Sequence, residues 1–139
     1  MTDFNEMNKK IIEEFRSNEG KVGGFFEDKQ LLLLHTIGAK SGQPRINPAV
    51  YITDDERLVV LASKGGAPTN PDWYFNLVAN PEVSVEVGPE QFQAQATIAT
   101  EPERTKLFKQ MAAEIPEFAE YEQKAVPRII PVIILTRKS

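Results

Sequence analysis

The apolar positions change period along the chain, and the period marks the elements. Phe4, Met7, Ile11 and Phe15 recur at spacings of three and four, which predicts a helix over residues 3–16 with one narrow apolar stripe. Thr2 or Asp3 is placed to cap it. The polar face carries both signs of charge, so the stripe reads as docked on the domain rather than on a membrane. A Gly-containing break follows at residues 18–24. Gln30–Ile37 (QLLLLHTI) is then a short continuous apolar run, read as a buried strand. Residues 45–53 (RINPAVYIT) and 57–63 (RLVVLAS) are two further strands, joined through the polar tip Asp54-Asp55-Glu56. Pro48 marks an edge, a bulge or a strand start in the first of these. Such short connections predict an antiparallel meander.

The second half repeats the contrast. Asn70-Pro71 reads as an N-cap followed by a first-turn proline, opening a helix to Ala79 with Asp72 in its first turn. Glu82–Val87 (EVSVEV) alternates strictly, turns at Gly88-Pro89, and is answered by a second alternating strand over residues 90–100. Thr100-x-x-Glu103 has the form of a capping box for a helix to about Ile115. Pro116 opens a shorter helix with Phe118 and Tyr121 on one face. Residues 128–136 (RIIPVIILT) form the last strand, with Pro131 suited to an edge or bulge. Six strands interrupted by short helices predict an α+β fold whose sheet curls into a small barrel. The chain divides into an N-terminal helix and connector (1–24) and a barrel (25–139).

Composition removes chemistries. The 139 residues include no cysteine and one histidine, His35. Disulfides, thiolate-held metals, thiol nucleophiles and a Ser-His-Asp triad therefore lack material, and no metal site is expected. His35 shares a face with Leu31 and Leu33 and reads as a core or rim residue. The net charge of −4 argues against a nucleic-acid partner. No apolar run resembles a signal-peptide core or spans a bilayer, so the expected location is cytoplasmic. Peripheral contact of the first helix with a membrane is an alternative without support.

The charge is unevenly spread. Residues 36–53 carry two cations, Lys40 and Arg45, and no acid; residues 58–71 carry Lys64 and no acid. Lys40 and Arg45 flank a Gly/Pro turn and can converge on one anion, Arg as a rigid fork and Lys as a mobile point charge. A solvated hairpin tip is the alternative. Ser63-Lys64-Gly65-Gly66 precedes the helix at Asn70-Pro71, where glycines let backbone N–H groups approach a ligand. Gly38-Ala39-Lys40-Ser41 is not a phosphate-binding P-loop. Ala39 and Leu34 stand where glycines are required, and the context is strand–turn–strand. Trp73 and Tyr74 supply aromatic surface beside these loops, as core or as a wall for a planar ligand.

Two runs, G-x-K-S-G-Q-P-R-x-N-P (residues 38–48) and A-S-K-G-G-A-P-x-N-P-x-W-Y-x-N-L (residues 62–77), together resemble the deazaflavin-dependent nitroreductase and quinone reductase family of actinobacteria. The resemblance is tight over residues 30–88 and weaker beyond. It implies a split β-barrel like those of flavin reductases and pyridoxamine phosphate oxidases. It implies coenzyme F-420 as cofactor, its phosphate and polyglutamate tail held by Lys40, Ser41, Arg45, Lys64, Gly65 and Gly66. Asn47, Pro48, Ala62, Ser63, Trp73 and Asn76 match positions that line the deazaflavin. Val50, Phe118 and Tyr121 match the substrate pocket, and Tyr121 or Ser63 is the candidate proton donor. Many relatives have Arg where Ala39 stands, and nitroreductases have tyrosines where Val50 and Phe118 stand. These departures count against nitroimidazole reduction and leave quinone or enone reduction untouched. The implied activity is hydride transfer from reduced F-420 to a quinone-like acceptor. An FMN-dependent split-barrel oxidoreductase and a non-catalytic deazaflavin carrier are the alternatives, and a homodimer is expected by analogy.

Overall fold

The computed structural model describes residues 4–27 and 29–138. In chain order the elements are α1 (Phe4–Ser17), β1 (Leu31–Ile37), β2 (Pro44–Asp54), β3 (Arg57–Leu61), α2 (Asp72–Ala79), β4 (Glu82–Val87), β5 (Glu90–Ile98), α3 (Glu103–Glu114), α4 (Glu117–Ala125) and β6 (Val132–Arg137). Single turns of helix lie at Gly24–Phe26 and Lys64–Gly66. The six strands close into one barrel in the order β1-β2-β3-β6-β5-β4, every neighbour antiparallel. The α+β split-barrel expectation holds.

Strand composition follows what covers each face. One face of the strands fills the barrel: Leu32, Leu34, Val60, Val83, Val85, Ala94, Ala96, Ile133 and Leu135 pack together, with Trp73 and Leu77 of α2 in the same cluster. On the outer face of β3 and β6, Val59, Leu61, Val132 and Ile134 pack with Leu107, Phe108 and Met111 of α3 and Phe118 of α4. On the outer face of β1, Leu31 and Leu33 pack with Phe15 of α1 and Val22. Strands covered on both faces read as unbroken apolar runs. The outer faces of β4 and β5 carry Glu82, Ser84, Gln91 and Gln93 without a covering helix, so those two strands alternate.

Three local expectations are corrected. The cap of α2 is Pro71 in extended conformation, and Asn70 is not the N-cap; its side-chain carbonyl accepts from Arg128 at 2.6 Å instead. The capping box at Thr100–Glu103 does not form. The cap is Pro102, and Glu101 accepts from the Thr105 backbone N–H at 2.9 Å and its hydroxyl at 2.7 Å. Pro131 lies just ahead of β6 rather than inside it, its carbonyl accepting from the Ala62 N–H. Pro48 sits where β2 pairs with β1 alone, before the β3 ladder begins at Tyr51, so one edge of the strand needs no donor there. Thr2 and Asp3, and the side chains of Phe4 and Met7, lie outside the described residues.

Candidate functional site

A cleft of about 680 Å³ opens where the β1–β2 turn meets α2. Gly38, Ala39, Lys40, Ser41, Arg45 and Asn47 line one side, and Asp72, Phe75 and Asn76 the other. The turn is closed by two backbone bonds, Gly38 N–H to Gln43 and Gly42 N–H to Gly38. Asn76 joins the two sides. Its amide donates to the Thr36 hydroxyl at 3.1 Å, and its carbonyl accepts from the Ala39 N–H at 2.9 Å. Asn76 is buried, so this pair of bonds fixes the turn against the helix.

The cations in the cleft are free. Among the described residues, Arg45 is the one arginine with neither an ion pair nor a side-chain hydrogen bond. Arg16, Arg57 and Arg137 pair with carboxylates, while Arg104 and Arg128 bind carbonyls. Lys40 is likewise exposed and unpaired. A fork-shaped cation and a point cation around a polar turn make an anion receptor.

The second basic loop is set apart from the cleft's lining. Its turn runs Ser63 (φ −77°, ψ −38°), then Lys64, Gly65 and Gly66 at φ +49°, +63° and +84°. This right-then-left alternation turns successive N–H groups toward one point, an arrangement that attracts anions. The Lys64 ammonium donates to the Thr69 hydroxyl at 3.3 Å. Gly66 approaches α4 so closely that a Cβ would lie 2.9 Å from the Lys124 Cβ and 3.0 Å from the Tyr121 carbonyl. Ala62 and Ser63 are buried at the exit of β3.

Residues named for the acceptor come together elsewhere. Val50 and Tyr121 pack against the cluster that holds Phe118, and the Phe118 and Tyr121 rings meet edge to face at 5.5 Å. Burial and the nearby Glu117 carboxylate push the Tyr121 phenol upward, which keeps it protonated. Arg45 and Asn47 lie on the face of β2 that continues as Ala49 and Tyr51 into the barrel. Pro48 and Val50 lie on the opposite face. From Arg45 to Val50 the strand runs about 17 Å. Trp73 is placed in the barrel core and is not among the cleft's lining residues.

His35 sits on the outer face of β1, as its register with Leu31 and Leu33 requires, and its Nε2 lies 2.5 Å from Glu86. Arg16 of α1 binds the same carboxylate at 2.7 and 3.2 Å. Hydrogen bonding from Arg16, and secondarily from His35, holds Glu86 below the usual carboxylate range despite its partial burial. This is a latch for α1, away from the cleft. Among the described residues no cluster of three or more His, Asp or Glu could hold a metal, and no helix is long and apolar enough to cross a membrane.

A sequence profile of the F420H(2)-dependent quinone reductases matches residues 7–137. The chain belongs to this family. It is similar to an F420H(2)-dependent quinone reductase of Mycobacterium tuberculosis, 36% identical over 127 residues, covering 89% of this chain and 85% of that one. A solved F420-H2 dependent reductase (FDR-A) is 38% identical with a TM-score of 0.70, covering 76% of this chain and 93% of that one. A pyridoxamine 5'-phosphate oxidase-like protein of Listeria innocua, at 12% identity, a TM-score of 0.56 and 82% and 88% coverage, shares the fold alone. This F420H(2)-dependent quinone reductase family member carries both basic loops of the sequence reading, but its cleft also uses Asp72 and Phe75, which that reading left out. Their position in the first turn of a helix at a basic loop was the available signal. Arg128 was missed for a different reason. It donates to the carbonyls of Ala62, Ser63 and Ala67 and to Asn70, partners 58 to 66 residues away, and no local pattern announces such a contact.

Proposed function

We propose that the protein is a reductase that takes hydride from reduced coenzyme F-420 and delivers it to a quinone-like acceptor. The observation that carries this reading is the pair of unpaired cations, Lys40 and Arg45, on a polar cleft. Such a cleft suits a cofactor with a phosphate and a carboxylate-rich tail, and in an acidic protein it is the exception. Lys40, Ser41 and Arg45 hold the anionic part, and Asn76 keeps their turn in register. Lys64 and Gly65 supply a second set of donors, and Gly66, whose N–H is bonded to the Ser63 carbonyl, holds their turn against α4. Asn47, Pro48, Ala62, Ser63 and Trp73 border the ring system, Trp73 from within the barrel as support. When bound, the reduced deazaflavin supplies the hydride, which is the chemistry the chain's own residues lack.

Val50, Phe118 and Tyr121 form the acceptor's apolar surroundings and exclude water from it. The Tyr121 phenol, held protonated, serves as hydrogen-bond donor to the acceptor, with Ser63 as the other candidate. Solvent can deliver the proton that completes a quinol. Titrating the protein with F-420 and with FMN, following ligand fluorescence, tests the cofactor. F-420 binding in the micromolar range or tighter, with FMN much weaker, is expected. Oxidation of reduced F-420 that requires both protein and menadione then separates a reductase from a carrier. A preference for FMN, or no menadione-dependent oxidation, overturns the reading. Sizing the protein in solution tests the expected homodimer.

A further inference from the structure

Arg128 lies in the segment between α4 and β6, and it makes no ion pair with a carboxylate among the described residues. Its guanidinium is instead committed to the loop that leaves β3. Nη1 donates to the Ala62 carbonyl at 3.0 Å and to the Asn70 side chain at 2.6 Å. Nη2 donates to Ser63 at 2.7 Å and to Ala67 at 2.8 Å, and Nε donates to Ala67 at 2.9 Å. Four oxygens along nine residues of chain thus converge on one planar cation. Partial burial lowers its pKa from the ordinary value, and it stays charged. A half-buried cation without a counter-ion is a poor device for stability.

The consequence for the loop follows from peptide geometry. In a planar trans peptide the C=O and the next N–H point in opposite directions. With the Ala62 and Ser63 carbonyls turned to Arg128, the N–H groups of Ser63 and Lys64 face away from it. Neither has an acceptor among the described residues. The Lys64 and Gly65 backbone is held at positive φ in the same stretch.

We propose that Arg128 is a positioning residue. It gathers the carbonyls of the 62–70 loop on one side and so presents the Ser63 and Lys64 N–H groups to an anionic ligand. It also fixes Asn70 two residues before α2, whose Asp72 and Asn76 line the cleft. The ligand part of this assignment rests on the F-420 reading above; the loop part does not. A lysine cannot replace it, because an ammonium cannot reach four oxygens in one plane.

The test uses Arg128→Lys, Arg128→Gln and the control Arg104→Gln, which removes another arginine's two bonds to a backbone carbonyl, that of Ile130. Hydrogen exchange without ligand reads the Gly66 and Ala67 amides, which bond within the loop to Ser63 and Lys64. Both Arg128 variants should exchange there at least ten times faster, with the β3 and β6 amides unchanged, and should bind F-420 at least ten times more weakly. The control should do neither. Wild-type exchange in the loop, or wild-type affinity in Arg128→Lys, overturns the proposal. Faster exchange with unaltered F-420 affinity also overturns it. A wild-type protein that fails to bind F-420 overturns the functional reading instead, and exchange alone then decides whether Arg128 sets the loop.

Discussion

Arg45 and Gly66 show how differently two site residues are constrained. Arg45 has no partner to lose, so Arg45→Gln should leave the melting temperature within about 2 °C, since unpartnered surface changes stay near zero. F-420 affinity should fall at least about tenfold, the worth of a charge-assisted hydrogen bond. Neutralising Lys40 as well should abolish binding in the same fluorescence titration. Gly66 is the reverse case. Its φ of +84° and the 2.9 Å approach to Lys124 both forbid a side chain. Gly66→Ala should cost about 1–3 kcal/mol in denaturant unfolding, and affinity should fall with it as the turn is displaced from α4.

The elements divide into those whose roles are written locally and those whose roles depend on a partner. The alternation of β4 and β5 and the unbroken runs of β1, β3 and β6 were legible because burial follows the side-chain period. Lys40 and Arg45 were legible because an acid-free stretch stands out in an acidic chain. The ends of α2 and α3 were not. Asn70 and Thr100 have the chemistry of caps, but Arg128 takes the first, and the Glu101–Thr105 pair does the work expected near the second. The latch of α1 was equally invisible, since Arg16 and Glu86 are 70 residues apart. It has a pH signature. A carboxyl with a depressed folded pKa contributes stability above its unfolded pKa and loses it as pH falls through the folded one. The advantage of wild type over Glu86→Gln in melting temperature should therefore hold near pH 5 and shrink below about pH 4. An unchanged difference down to pH 3 would show that the latch carries no such stability.

At the scale of the whole molecule, the barrel interior ties all six strands to one another, and Ile133 of β6 is fully buried in it. Ile133→Ala should cost about 2–5 kcal/mol in denaturant unfolding, while Gln93→Ala, on the uncovered face of β5, should stay within about 0.5 kcal/mol. The order of the strands has a further outcome. β6 comes last along the chain, yet it lies between β3 and β5. While the polypeptide is being made, those two strands wait with unpaired edges until residues 132–137 emerge. Arg128, which organises the 62–70 loop, emerges only a few residues earlier. Barrel closure and completion of that loop are thus nearly simultaneous events, and a nascent chain stalled before them presents two open edges to any neighbouring strand.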